Sequence, residues 1–283
     1  MADSPALDIP CPSGDTLLLD RLYALLDDFE PLAIQDTDEG MRVFFRTPAQ
    51  RDAARRAISG REALDAAAID VGDEDWARRS QQDLRAIEAG GLIVAPPWDV
   101  PTGGSGTRDR GSDLPVIVIE PSTGFGTGHH ATTRLCLRLM QTLELRGARV
   151  LDIGTGSGVL ALAAWKLGAS DVVAIDNDPD ALDNARSNIE RNGAAPAIDI
   201  IQDDLRTLRI QRADVVLANL TGAVLVRHAD DLRGLAVDGG YLILSGFAPE
   251  DSGLIRKAFA GTRVIAEQTE AAWAAMLFRS ADL

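Results

Sequence analysis

The stretch from Arg149 to Leu167 limits the fold more than any other part of the chain. Arg149-Val150-Leu151-Asp152-Ile153 reads as a short strand, apolar on both faces. It runs into Gly154-Thr155-Gly156-Ser157-Gly158, and Val159–Leu167 then carries a helical pattern. Strand, glycine turn and helix in that order belong to open α/β sheets, where ligands sit outside the carboxyl ends of the strands. Side chains at Gly154, Gly156 and Gly158 would hold a ligand away from the backbone, and the following helix presents free N–H groups there.

The rest of the second half keeps the same rhythm. Apolar runs at Val172–Ile175, Ile198–Ile201, Asp214–Ala218 and Tyr241–Ser245 alternate with helical patterns. Asp178 is placed to cap a helix with Pro179 in its first turn, Leu182, Ala185 and Ile189 on one face, and Gly193 as its left-handed end. After a helix at 250–260, Thr262–Gln268 and Trp273–Phe278 suit a closing antiparallel pair. The expected architecture is α/β, a Rossmann-like doubly wound sheet with that pair at one edge.

The first half reads differently. Leu18, Leu22, Leu25, Leu26 and Phe29 have helical spacing within residues 13–30, with Ser13 or Asp15 as cap. Leu32–Gln35 and Met41–Phe45 form a hairpin signal, with Gly40 available for positive φ. Pro48–Ile58 reads as a second helix and Ala66–Val71 as a strand. These elements predict a small α+β domain over residues 1–95, with Leu92–Ala95 as its last strand. A linker follows over 96–115, broken by prolines and rich in Gly and Ser, and the α/β domain spans 116–283.

Composition narrows the partners. No run approaches the roughly 20 apolar residues of a membrane span. Met1–Pro5 lacks a basic n-region and an apolar h-region, so a cytoplasmic protein is expected. Cys11 and Cys136 read as reduced thiols, and His129, His130 and His228 fall in no metal-binding spacing. A net charge of −15 disfavours tight binding to nucleic acid and makes a basic protein, a cationic peptide or a small molecule the easier partner.

The glycine turn alone leaves two cofactor classes open. Its spacing is G-x-G-x-G, not the G-x-G-x-x-G of dinucleotide binding, because Val stands at 159. S-adenosylmethionine has no pyrophosphate, and Asp152 would suit its cationic ammonium; the alternative is a carboxylate that only orients the loop. Asp176 lies where an acid accepts from ribose hydroxyls, a feature both cofactors share. Gln202-Asp203-Asp204 offers an acid or amide to an adenine amino group, or is a solvated loop. Asn219 leaves a buried strand at the ligand edge, able to accept from an amine or donate to a cofactor. No Asn-Pro-Pro-aromatic follows it, which argues against a flipped nucleobase. Before the helix starting near 134, Thr132 or Thr133 would be the cap. The adjacent His129-His130 invites a metal or general-base role but lacks partners at ligand spacing.

Together these residues resemble the family of methyltransferases acting on the bacterial ribosomal large-subunit protein L-eleven. The family loop Phe-Gly-Thr-Gly-Thr-His-Pro-Thr-Thr is matched by Phe125–Thr133 except at His129 and Ala131. Its glycine motif, ribose acid and Asn-Ile/Leu pair match Asp152–Gly158, Asp176 and Asn219-Leu220, and its interdomain bridge is similar to Asp73–Trp76 with Val94–Trp98. The resemblance spans residues 15 to 280. It implies a class I S-adenosylmethionine-dependent fold, with Thr133, Gly154, Asp176 and Asn219 as cofactor contacts. It also implies that Phe125, Gly126, Thr127 and Gly128 close over the methionine end. The implied product is a methylated lysine or N-terminal amine on a ribosomal protein, chosen by the N-terminal domain. Asn219 and backbone carbonyls are expected to orient the neutral amine. Departures lie at Met1–Pro12, where the family's first strand has no clear counterpart, at Ala77–Gln82, and at Ser122-Thr123. A related branch acts on lysines of the electron-transfer flavoprotein beta subunit. That target, a small molecule, a nicotinamide-dependent dehydrogenase and a non-catalytic binder are the competing readings.

Overall fold

A computed structural model of the chain describes residues 4–11, 18, 21–22, 25–26, 29, 31, 33–37, 40–61, 64–71, 84–101, 114–121 and 129–281. The chain divides into two compact units between Leu84 and Arg85.

The smaller unit carries β1 (Ser4–Pro10), β2 (Ala33–Thr37), β3 (Gly40–Phe44), α1 (Pro48–Arg61) and β4 (Ala67–Val71). Leu18, Arg21, Leu22, Leu25 and Leu26 are helical; the other positions of the helix expected over 13–30, apart from the turn at Phe29, lie outside the described residues. The strands form one antiparallel sheet ordered β2-β3-β1-β4. The order β-α-β-β-α-β with this sheet is a split βαβ arrangement. The expectation of no strand in Met1–Pro12 is wrong: β1 is a central strand, paired on both edges. Leu7 and Ile9 alternate into the core, while Asp8 stands opposite Arg42 and binds its guanidinium at 2.5 and 2.7 Å. Pro5 and Pro10 near its ends disguised this period-two pattern. Gly40 closes the hairpin with φ +150°, as its position suggested.

The larger unit begins earlier than expected. β5 (Ile87–Ala89) and β6 (Leu92–Ala95) form a hairpin, and β6 pairs in parallel with β7 (Val116–Val118). Leu92–Ala95 therefore belongs with the α/β unit and not, as expected, with the N-terminal domain. Gln141 Nε2 donates to Ala89 O at 2.7 Å and fastens this small sheet to α2 (Ala131–Met140). The stretch 102–113 of the expected linker and the bridge residues Asp73–Trp76 lie outside the described residues.

The rest of this unit is the doubly wound sheet. Its elements are β8 (Arg149–Ile153), α3 (Val159–Lys166), β9 (Asp171–Asp176), α4 (Pro179–Arg191), β10 (Ile198–Gln202), β11 (Ala213–Asn219), α5 (Gly222–Arg227), α6 (Ala229–Leu235), β12 (Ala236–Phe247), α7 (Ser252–Ala258), β13 (Arg263–Glu270) and β14 (Trp273–Arg279). The order is β10-β9-β8-β11-β12-β14-β13, parallel except for the antiparallel β14 and β13. The chain moves outward from β8 to β10, then returns to β11 on the other side. The crevice at the carboxyl ends of β8 and β11 is thus the switch point where such sheets bind ligands. Both faces are covered. Val150, Leu162, Leu217 and Ile243 enter one core, and Leu151, Val216, Leu244 and Phe247 the other. Successive strand residues serve opposite layers, which explains why these strands are apolar on both faces. Each fully buried Leu, Ile or Phe contributes about 1.5–3 kcal/mol. Among the described residues, no helix is long and apolar enough to cross a membrane.

Candidate active site

The glycine turn is a left-handed structure at three points, with φ of +71° at Gly154, +55° at Gly156 and +81° at Gly158. A Cβ on Gly154 would come within 2.4 Å of Leu220 Cδ2, so this turn packs directly against the residue after Asn219. Four of its five N–H groups are bonded within the protein. Gly154 and Thr155 donate to Ile175 O at 2.8 and 3.0 Å, and Gly158 donates to Thr155 O at 2.9 Å. Gly156 donates to Asp176 Oδ2 at 3.0 Å. A pyrophosphate would need such donors open.

Asp152 sits beneath the turn and is only 1% exposed. Its Oδ2 accepts from Thr155 Oγ1 at 2.7 Å and from Ala161 N at 3.0 Å. Gly158, the N-cap of α3, has no side chain to offer, so Asp152 supplies the missing cap acceptor from the preceding strand. The loop-orienting reading of Asp152 therefore describes part of its work. Burial pushes its pKa up to about 6, opposed by the Thr155 and Ala161 bonds. Asp176 uses Oδ1 to accept from Asp178 N at 3.1 Å, while Asp178 caps α4 as expected, accepting from Asp180 N at 3.0 Å. Two carboxylates thus converge on a turn with four of its five donors spent, a set that fits a cation and hydroxyl groups better than a pyrophosphate.

The second wall is the start of α2. Its N-cap is His130, not Thr132 or Thr133: the ring Nδ1 accepts from Thr132 N at 3.4 Å and lies 2.8 Å from Thr132 Oγ1. Asn219 ends β11, and its Nδ2 donates to the same Thr132 Oγ1 at 3.1 Å. Thr133 is buried, its N–H bonded to His130 O at 3.1 Å. The His130 ring meets Trp273 edge-on, with centroids 4.9 Å apart. Burial, then the Arg134 charge, lower the pKa of His130 from its ordinary value. Arg134 and Arg138 both pair with Glu270, at the end of β13. His129 Nε2 lies 2.7 Å from Arg85 O.

Asp203 adjoins Asp176, its N–H bonded to Asp176 O at 3.1 Å. Asp204 is turned to Arg206 at 2.6 Å, and that bond holds its carboxyl far below the usual range. Of the expected site residues, Phe125, Gly126, Thr127 and Gly128 lie outside the described residues. The structure brings Asp152, Gly154, Gly156, Gly158 and Asp176 together at the carboxyl edge of β8 and β9. Asn219 joins them through Leu220, and it is linked to the α2 start through Thr132, beside Thr133. Sequence reasoning missed Trp273, which arrives from the far end of the chain, and Asn188. Asn188 is fully buried; it donates to Ser157 O at 3.0 Å and accepts from Glu120 N at 2.9 Å, joining the turn to the strand end before residue 122. Its place on the Leu182–Ala185–Ile189 face of α4 was the available clue.

The family described as Ribosomal protein L11 methyltransferase (PrmA) matches residues 32–281. The chain belongs to the ribosomal protein L11 methyltransferase family. A family member from Pelotomaculum thermopropionicum is 41% identical over 212 residues, covering 74% of this chain and 67% of its own length. A Thermus thermophilus member is 37% identical over 212 residues, covering 74% and 79%. The crystal structure of a ribosomal protein L11 methylase from Lactobacillus delbrueckii subsp. bulgaricus superposes with a TM-score of 0.62 at 25% identity, over 70% of this chain and all (100%) of that one. This family member is therefore an S-adenosylmethionine-dependent methyltransferase of the class I fold. The acids and the mostly spent turn donors fit that cofactor, which carries a cation and a ribose but no pyrophosphate.

Proposed function

We propose that this enzyme methylates ribosomal protein L11 on lysine or N-terminal amines. The observation that carries the reading is the polar strand end at Asn219. Its amide nitrogen is tied to Thr132, and its neighbour Leu220 lies against Gly154 of the cofactor turn. Relatives of 35–41% identity bearing the L11 name support the target.

Bound at the turn, S-adenosylmethionine supplies a methyl group on a cationic sulfur with a neutral leaving group. The residues of the chain position and desolvate the acceptor. Asp176 would accept from the ribose hydroxyls, Asp152 would complement the ammonium, and Thr133, Gly154, Gly156 and Gly158 would border the cofactor. A lysine amine has an ordinary pKa of about 10.4 and reacts only after losing a proton, which water accepts. Asn219 Oδ1 takes a hydrogen bond from the neutral amine and aims its lone pair at the methyl carbon. The smaller N-terminal unit selects the protein, and the acidic chain favours a basic partner in the cytoplasm over nucleic acid. A lysate from cells lacking this protein, incubated with the enzyme and labelled S-adenosylmethionine, should yield label on L11. Label confined to another protein, such as the electron-transfer flavoprotein beta subunit, would replace the target.

A further inference from the structure

We propose that His130 and Thr132 form a hydrogen-bond relay that fixes which end of the Asn219 amide faces the acceptor amine. The inference rests on the reading of Asn219 as the group that orients that amine. His130 Nδ1 accepts the Thr132 N–H at the helix cap, so this nitrogen carries no proton. The Thr132 hydroxyl, 2.8 Å away, must then donate to it. With its proton committed, Thr132 Oγ1 can only accept from Asn219, 3.1 Å away, and the atom there must be Nδ2. The amide oxygen is left as the end turned to chemistry.

The direction matters. A neutral amine attacks through its lone pair, so it must be held by its N–H groups. The Asn219 oxygen accepts an N–H and leaves the lone pair directed at the methyl. A reversed amide would donate to that lone pair and block it. Trp273, edge-on to the imidazole at 4.9 Å, holds the ring in the plane the relay needs. Burial of His130 disfavours the charged ring, and the Thr132 N–H at the cap selects the tautomer with Nδ1 bare. His130 and Thr132 are thus positioning residues, acting through Asn219 rather than on the amine.

The test measures kcat with L11 and the dissociation constant of S-adenosylmethionine for the full-length enzyme and its variants. Thr132→Val and His130→Ala should each lower kcat about tenfold or more, the equivalent of about one hydrogen bond, with cofactor affinity within about threefold. Thr132→Ser restores the hydroxyl and His130→Asn restores a cap acceptor, and both should recover most of the loss. Nitrogen NMR of the wild-type imidazole gives a readout that no folding defect can mimic. An unprotonated Nδ1 at pH 7.5 supports the relay, and a protonated Nδ1 overturns it. Full kcat in Thr132→Val and His130→Ala, with kcat lost in Asn219→Ala, would overturn the relay and leave the Asn219 reading standing. Full kcat in Asn219→Ala would overturn that reading, and the relay with it.

Discussion

The two walls of the site are built in different ways. The cofactor wall is local: Asp152, Gly154, Thr155, Gly156, Gly158 and Asp176 fall within one strand-turn-helix-strand unit, bonded to one another through short-range contacts. The acceptor wall is assembled from afar: His130 and Thr132 open α2, Asn219 ends β11, and Trp273 begins β14. On the proposed reading, the first wall binds through a pinned backbone and the second reacts through a few polar atoms aimed by separate elements. Damage to one wall should therefore appear in cofactor affinity, and damage to the other in turnover.

The largest separation is expected at Asn219. Asn219→Ala should lower kcat by about 10²-fold or more, as for other lost groups that act at the reacting centre, with cofactor affinity changed far less. Comparable losses in both would erase the distinction between the walls. Gly154→Ala should do the reverse. The left-handed φ costs a non-glycine residue about 1–2 kcal/mol, and the new Cβ meets Leu220. Calorimetric titration should show cofactor affinity falling at least about tenfold. Adding Leu220→Ala should relieve the collision but not the backbone strain, so recovery should be partial.

Asp152 tests whether the cofactor wall trades stability for charge. Its folded pKa of about 6 lies above the ordinary value near 3.9. A carboxyl raised in this way stabilises the fold fully below about pH 4, and that contribution is lost as pH rises through about 6. At neutral pH the buried charge costs on the order of 3 kcal/mol. Both protein bonds fall on Oδ2, so the Asn oxygen of Asp152→Asn can keep them. The variant should melt higher than wild type at pH 7.5, with the advantage vanishing near pH 4, and should bind S-adenosylmethionine more weakly. Unchanged affinity would reduce Asp152 to a helix cap. The smallest effect belongs to Glu270→Gln, which removes partly exposed ion pairs to Arg134 and Arg138. A melting change equivalent to about 1 kcal/mol or less is expected, with cofactor binding intact.

The same contrast explains what could be read from the sequence. The glycine turn, the acid at the end of β9 and the α4 cap were legible because each is a local pattern with a local cause. The inner parallel strands were legible because burial on both faces makes them largely apolar, and the edge strand β10 by its isoleucines. β5 and β7 were not, being three residues long, with β5 next to a charged run. β1 was hidden by its prolines. The α2 cap was assigned to a threonine because threonine caps helices commonly. His130 takes that place because its ring also packs on Trp273, a contact set by β14 and invisible at the sequence distance involved. Asn219 was found by its position at a strand end; its link to Thr132 needed the fold.

The most direct test of the account is the intact mass of purified L11 after incubation with S-adenosylmethionine and either wild-type enzyme or Asn219→Ala, with cofactor binding measured on both. The account predicts added methyl groups on lysine or the N-terminal amine with wild type. It predicts L11 left largely unmodified by Asn219→Ala despite near-normal cofactor binding. L11 unmodified by the wild-type enzyme, or equally modified by the variant, would contradict it.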